Sequence, residues 1–281
     1  MIVFLNGQFV PEEQAVVSVF DRSFLYGDGL FEAIPVYGGR PFRWAQHLER
    51  LARGAEFLKI RLPIPLKELR KLARELVKLN QMPDAMLRLT LSRGAGERGY
   101  SPQGAELPNL VMTLHPAPTI EPGHPAPWQL KTSSFRLPMA NPLSSFKTNN
   151  KLAQVIARAE AEADGADDAL MLNTNGEVVE TTSANVFWVR QNTIYATPTG
   201  RGALPGITRA VVLELCQALA IPTAKKVIQP ETLRRADSIF LTLSSCGVVP
   251  VNSLDGEPVN ESPLVHQICQ AYWEAVAKSC S

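Results

Sequence analysis

Cysteine is scarce. The chain has four among 281 residues, at Cys216, Cys246, Cys269 and Cys280, without the spacing of a metal site or a redox pair. They are expected to be reduced and mostly buried, in a cytoplasmic enzyme, and no metal is expected. Charge of one sign is also lacking. Twenty-eight lysines and arginines face 27 aspartates and glutamates, a formal net charge of +1. No general field draws the chain to nucleic acid or an anionic membrane, so any anion site must be local. Long apolar runs are missing: none approaches the about eighteen residues of a membrane span. The N-terminus is apolar only over Met1–Leu5, with neither a basic flank nor a cleavage site, and does not read as a signal peptide. There is no internal repeat and no low-complexity tract.

What is present is an ordinary composition, 45% hydrophobic and 20% charged, long enough for one large domain or two modest ones. Residues 2–5 and 8–10 read as short strands around Asn6-Gly7. The stretch from Asp21 to Glu32 alternates glycines and small polar residues with aromatics, as in a loop that needs special dihedrals or lines a pocket. From Trp44 the period becomes helical: Leu48, Leu51, Ala52, Ala55 and Leu58 form a stripe with Arg50 beside it rather than in it. In a second helix Leu66, Leu69, Leu72, Ala73 and Leu76 face in, while Lys67, Arg70, Lys71 and Arg74 form a solvated face. Residues 86–92 and 110–114 are strands flanking the glycine-rich loop Arg93–Tyr100. Five prolines between His115 and Trp128 favour extended chain without ladders. The expected division is therefore a small α/β domain at 1–115, a linker at 116–128 and a larger α/β domain at 129–281. Further strands are expected at 128–133, 193–196 and 238–243, and helices at 209–219 and 263–278.

The stretch from Ser144 to Val189 organises the rest. It opens on Lys147, in Phe146-Lys147-Thr148-Asn149-Asn150, then crosses an alanine-rich helix and a hairpin to Glu180. The run Thr181-Thr182-Ser183-Ala184-Asn185 follows. A lysine held in buried structure can present a free amine near neutrality. Lys151 would share its helical face, and position alone does not choose between the two. Glu180 ends an apolar strand, where a solvated acid is less expected. Gly206-Ile207-Thr208, at a helix start, offers N–H groups and a hydroxyl suited to a phosphate. Ser244 could add a hydroxyl and Arg50 a charge-assisted fork. Each feature alone is also a common structural device.

Their order carries more. Arg50 in His47-Leu48-Glu49-Arg50-Leu51, then Lys147, Glu180 with Asn185-Val186-Phe187 after it, and Leu204-Pro205-Gly206-Ile207-Thr208-Arg209 together closely resemble the class IV aminotransferases, the fold-type IV pyridoxal phosphate (PLP) enzymes. Asp21-Arg22 and Tyr26-Gly27-Asp28-Gly29-Leu30-Phe31-Glu32 resemble them too, so the likeness covers almost the whole chain. It implies two α/β domains with PLP between them, and a homodimer whose partner loop helps close the site. By this likeness Lys147 is the Schiff-base lysine and general acid/base, and matches the family position better than Lys151. Glu180 partners the pyridine nitrogen, and Arg50, Ile207, Thr208 and Ser244 form the phosphate cup.

The family contains branched-chain and D-amino-acid transaminases, R-selective amine transaminases and 4-amino-4-deoxychorismate lyase, an enzyme of folate synthesis that releases pyruvate and 4-aminobenzoate. Ser92–Ser101, Lys147–Val155 and Ala184–Trp188 look most like the lyase. Arg93 and Arg98 on their glycine loop suit a substrate bearing carboxylates, with Phe31 and Tyr100 as further candidate substrate contacts. Phe31-Glu32 and Leu204–Thr208 are equally at home in the transaminases. The Arg-Gly-x-x-x-Arg spacing is similar to that of D-amino-acid transaminases. The lyase is the narrow preference and the transaminases the alternative. A catalytically silent relative is a third reading, which retention of the whole charged set disfavours.

Overall fold

The computed structural model describes residues 1–280. It is a mixed α/β chain that divides into two compact units. The first comprises Met1–Pro118, Phe146–Asn150 and the last residues of the C-terminal helix; the second comprises Thr119–Ser145 and Lys151–Lys278.

The first unit runs β1 (Ile2–Leu5), β2 (Gln8–Pro11), α1 (Arg22–Tyr26), β3 (Gly29–Tyr37), β4 (Arg40–Pro41), α2 (Trp44–Leu58), α3 (Leu66–Leu79), β5 (Ala85–Ser92) and β6 (Asn109–Pro116). Its six strands lie in the order β2-β1-β6-β5-β3-β4. Strict alternation builds the core: Leu87, Leu89 and Leu91 of β5 and Leu110, Met112 and Leu114 of β6 point one way. Leu48, Leu51 and Ala55 of α2 and Leu69, Ala73 and Leu76 of α3 belong to the same cluster. The basic residues of α3 are exposed, as its periodicity predicts.

Two expectations require correction here. The stretch from Asp21 to Glu32 is not a loop throughout. The Asp21 carboxylate accepts from the N–H groups of Ser23 and Phe24, which starts α1. Gly27 ends it in the left-handed region, where a side chain would also strike Asn150. Arg50 does not sit beside the buried stripe of α2 but within it, only 4% exposed, because Glu32 on β3 supplies a buried partner.

The second unit contains β7 (Trp128–Leu137), α4 (Leu152–Ala163), β8 (Asp168–Asn173), β9 (Val178–Thr181), β10 (Asn185–Arg190), β11 (Thr193–Ala196), α5 (Ile207–Ala218), β12 (Thr223–Lys225), α6 (Pro230–Leu233), β13 (Ser238–Leu243), β14 (Gly247–Leu254), β15 (Glu257–Pro258) and most of α7 (Pro263–Cys280). The strand order is β12-β11-β10-β13-β14-β7-β8-β9, with β15 on β14. The path also closes on itself. β9 pairs β10 through Glu180 opposite Asn185, so β10, β13, β14, β7, β8 and β9 form a ring. Its strands are nearly continuous apolar runs, as burial on both faces requires. All four cysteines are free, with Cys216 and Cys269 buried. Burial pushes their thiols up to about 11 and about 12, so they are inert at neutral pH. No helix among the described residues is long and apolar enough to cross a membrane.

Candidate active site

The sequence candidates divide between the units. Phe31, Arg50, Arg93, Arg98, Tyr100 and Lys147 lie in the first; Glu180, Ile207, Thr208 and Ser244 lie in the second.

Lys147 is fixed by its backbone. The N–H of Phe31 donates to the Lys147 carbonyl at 2.9 Å, the N–H of Asn149 donates to the Gly29 carbonyl at 3.0 Å, and Leu30 bridges Thr148. Residues 147–149 thus pair with the start of β3. The Lys147 ammonium then sits 4.6 Å from the centre of the Phe31 ring. Lys151 falls in the other unit, as the residue capping the start of α4.

On the opposite face of β3, Glu32 takes a two-pronged bond from Arg50. Nε reaches Oε1 at 2.8 Å and Nη2 reaches Oε2 at 2.6 Å, while His47 Nδ1 lies 2.7 Å from Oε2. Burial alone would raise the Glu32 pKa. The hydrogen bonds and charge of Arg50, with a smaller share from His47, overcome that and hold it down at about 2. Burial lowers the His47 pKa, against the pull of Glu32 and with help from the Arg50 and Lys147 charges. The imidazole is therefore neutral and donates Nδ1–H to the carboxylate. Sequence reading missed both Glu32 and His47. The available signal was an acid in an apolar strand next to a helix carrying His and Arg three residues apart.

The glycine loop after β5 is tied down by two arginines. Arg22 donates to the carbonyls of Gly99, Tyr100 and Ser101 at 2.9–3.0 Å. Arg93 spends Nε and Nη2 on Asp28, at 2.7 and 3.0 Å, and donates to the Leu58 and Lys59 carbonyls at 2.8 and 3.2 Å. Burial would raise the Asp28 pKa, but Arg93 and Arg22 together bring it below the ordinary carboxylate value. Arg98 is exposed, and Tyr100 stands edge-on to Tyr26 with ring centres 5.5 Å apart.

In the second unit, Glu180 Oε2 accepts the Leu204 N–H at 2.9 Å and Asn185 Nδ2 at 3.3 Å. Asn185 also donates to the Leu204 carbonyl at 2.9 Å. Gly206 follows, pressed so closely that a Cβ there would lie 2.1 Å from Asn185 Oδ1. It precedes α5, whose first turn is Ile207 and buried Thr208. The small-residue run after Glu180 wraps the fully buried Asp168 carboxylate, which accepts from Thr181 at 2.8 Å, Ser183 at 2.9 Å and the Thr182 hydroxyl. Ser244 is half-buried in the turn between β13 and β14.

Taken unit by unit, the residues suit the parts of a cofactor with an anionic phosphate, a basic ring nitrogen and a carbonyl. The first unit offers an amine on a fixed backbone; the second offers a carboxylate oriented by a main-chain N–H and a helix start at a glycine that admits no side chain. First-turn N–H groups have no partner within their own helix. The amino-transferase class IV family model matches residues 29–254. The chain therefore belongs to that family, and it is a PLP-dependent enzyme. A Methanocaldococcus jannaschii protein provisionally named a branched-chain-amino-acid aminotransferase is 35% identical over 94% of this chain and 91% of its own. D-alanine aminotransferase of Staphylococcus aureus is 31% identical over 96% of both. Among solved structures, the T.th. branched-chain amino acid aminotransferase with pyridoxamine 5'-phosphate superposes with a TM-score of 0.92 at 29% identity, covering 99% of this chain and 94% of that one. A Legionella pneumophila protein provisionally named 4-amino-4-deoxychorismate lyase gives 0.86 at 30% identity, covering 96% and 97%.

Proposed function

We propose that this protein is a transaminase that moves an amino group between an amino acid and a 2-oxo acid. Bound PLP supplies an electron sink for the pair left when the substrate's Cα–H bond breaks. The Lys147 amine would take that proton at Nζ; the backbone bonds of residues 147–149 to β3 keep the amine in register. Glu180, oriented by the Leu204 N–H, would pair with the pyridine nitrogen and favour its protonated form. Arg50, the N–H groups of Ile207 and Thr208, and Ser244 bind the phosphate. Phe31, Arg98 and Tyr100 contact the substrate, and Arg93 shapes their loop.

The observation that carries the choice of reaction is the bonding of Arg93. A pair of free loop arginines would favour the lyase and its dicarboxylate substrate, and Arg93 is committed to Asp28 and two carbonyls. The names of the two sequence relatives point the same way. The lyase is the second reading, supported by its likeness to Ser92–Ser101 and by the Legionella pneumophila relative. We also propose a homodimer. Val16, Val17, Val19, Phe20, Phe24 and Leu25 expose an apolar patch on the first unit that a second copy would cover.

One assay series tests the reaction. PLP-loaded protein is given D-alanine, L-leucine or an R-amine with 2-oxoglutarate or pyruvate and, separately, aminodeoxychorismate. Keto-acid formation should be the fast reaction and should vanish in Lys147→Ala, with the fold unchanged by circular dichroism. Rapid release of 4-aminobenzoate and pyruvate instead would make the protein a lyase.

A further inference from the structure

Asp168 opens β8 as the only charged residue of that strand, and it is fully buried. No step of the proposed reaction uses it. Its carboxylate nevertheless collects the three hydroxyls that follow Glu180. Oδ2 accepts from the Thr181 hydroxyl at 2.8 Å and the Ser183 hydroxyl at 2.9 Å. Oδ1 accepts from the Thr182 hydroxyl, from the Thr182 N–H at 3.3 Å and from the N–H of its neighbour Ala169 at 2.8 Å. Arg158 on α4 balances the charge, with Nη1 3.7 Å from Oδ1. Thr181 then closes the turn: its N–H donates to the Ala184 carbonyl at 2.8 Å, and its hydroxyl accepts the Ala184 N–H at 3.0 Å.

The clamp sits where the ring of strands closes. β9 meets β10 through a single residue pair, Glu180 opposite Asn185, and Thr181 and Ala184 are the residues next to that pair. A long ladder holds its own register, whereas a ladder of one pair takes its register from the turn. Glu180 and Asn185 are also the side chains that bond Leu204, the first through its N–H and the second through its carbonyl. Moving the turn would therefore shift the Glu180 carboxylate without touching it. A chain reversal alone needs only glycine or asparagine. Withdrawing a carboxylate from water is tolerated when its lone pairs are satisfied, and here the turn itself satisfies them.

We propose that Asp168 is a positioning residue for the cofactor's ring nitrogen. Through Thr181, Thr182 and Ser183 it fixes the Glu180–Asn185 pair, and so the point from which the Glu180 carboxylate meets that nitrogen. This rests on the reading of Glu180 as the nitrogen's partner. With Asp168 in place the carboxylate is set before the cofactor arrives. Without it Glu180 and Asn185 drift, and binding must first bring them back.

The test is nitrogen-15 magnetic resonance of protein loaded with PLP labelled at its ring nitrogen, a signal that follows the protonation and hydrogen bonding of that atom. At neutral pH Glu180→Gln should move the signal towards that of the unprotonated ring. Asp168→Asn keeps the shape but turns an amide NH2 towards hydroxyl donors. It should move the signal in the same direction by less, and raise the Kd for PLP in a spectral titration about 3- to 10-fold. Thr182→Val should act in the same sense, while Thr182→Ser, which keeps the hydroxyl, should match wild type. Ser183→Ala removes one bond from an exposed residue and should give the smallest shift of that sign. Melting curves check the fold; if Asp168→Asn fails to fold, the Thr182 and Ser183 variants carry the comparison. A signal that moves in Glu180→Gln but stays in place in the Asp168, Thr182 and Ser183 variants overturns the proposal and leaves Asp168 a stabiliser of the fold. A signal unmoved in Glu180→Gln as well overturns the pairing of Glu180 itself, and the role of Asp168 with it.

Discussion

Glu32 shows how a single carboxylate can govern a helix-facing surface. It is 1% exposed and neutralises Arg50 while accepting from His47. Glu32→Gln keeps the shape and removes the charge, leaving the Arg50 guanidinium buried without its counterion. The expected loss is roughly 3–5 kcal/mol by denaturant unfolding at neutral pH. Because the folded pKa is held down from 4.5 to about 2, the contribution is complete above pH 4.5 and disappears as pH falls towards 2. His47 adds a cost on the acid side, since the unfolded imidazole gains a proton near pH 6.5 that the folded one resists. Unfolding measured from pH 7 to pH 3 should therefore show wild type losing stability throughout. Glu32→Gln should lack the portion of that slope below pH 4.5; a parallel slope in both would remove Glu32 from the account.

Gly206 is the other residue-scale constraint. A methyl group there meets Asn185 Oδ1, and Asn185 steadies both Glu180 and the Leu204 carbonyl. Gly206→Ala should weaken PLP binding more than it lowers the melting temperature, because it displaces the partners of Glu180 rather than the core. A spectral PLP titration alongside a melting curve separates the two.

At the scale of elements, α1 and the glycine loop form one device. Asp21 caps α1 and also accepts from Ser92 Oγ at 2.5 Å and Asn109 Nδ2 at 2.7 Å, joining helix, loop base and β6. Arg22, the next residue, holds the loop's carbonyls. Asp21→Ala removes the cap together with one buried and one part-buried acceptor bond, at an expected cost of roughly 2–4 kcal/mol. It should also loosen the loop, read as faster tryptic cleavage at Arg98. Resistance equal to wild type would mean that Arg22 alone orders the loop.

At the scale of the whole molecule, the open question is assembly. The run from Val16 to Leu25 exposes six large apolar side chains, Val16, Val17, Val19, Phe20, Phe24 and Leu25. Sedimentation equilibrium should report a dimer, and Phe20→Ser combined with Phe24→Ser should shift it towards monomer without disturbing far-ultraviolet circular dichroism. A wild-type monomer at micromolar concentration would mean the patch serves another purpose.

The amino-acid order by itself determined the α/β class, the strands β1, β2, β5 and β6 of the first sheet, the exposed basic face of α3 and the candidacy of Lys147 and Glu180. Each depends on local periodicity or on a motif read along the chain. Tertiary structure alone decided what long-range pairing creates. Residues 147–149 acquire their register from Gly29 and Phe31, more than a hundred positions earlier, and no local pattern announces that pairing. Arg50 reads as flanking the apolar stripe of α2 because periodicity ranks residues by hydropathy. It is buried because a carboxylate on β3 meets it there, and a charge enters a core only with its partner. Arg93 and Arg98 look alike on one loop, yet Asp28 and two carbonyls claim the first and leave the second exposed. Asp168 is one acid at the start of an apolar strand until the fold turns the hydroxyls of Thr181, Thr182 and Ser183 onto it.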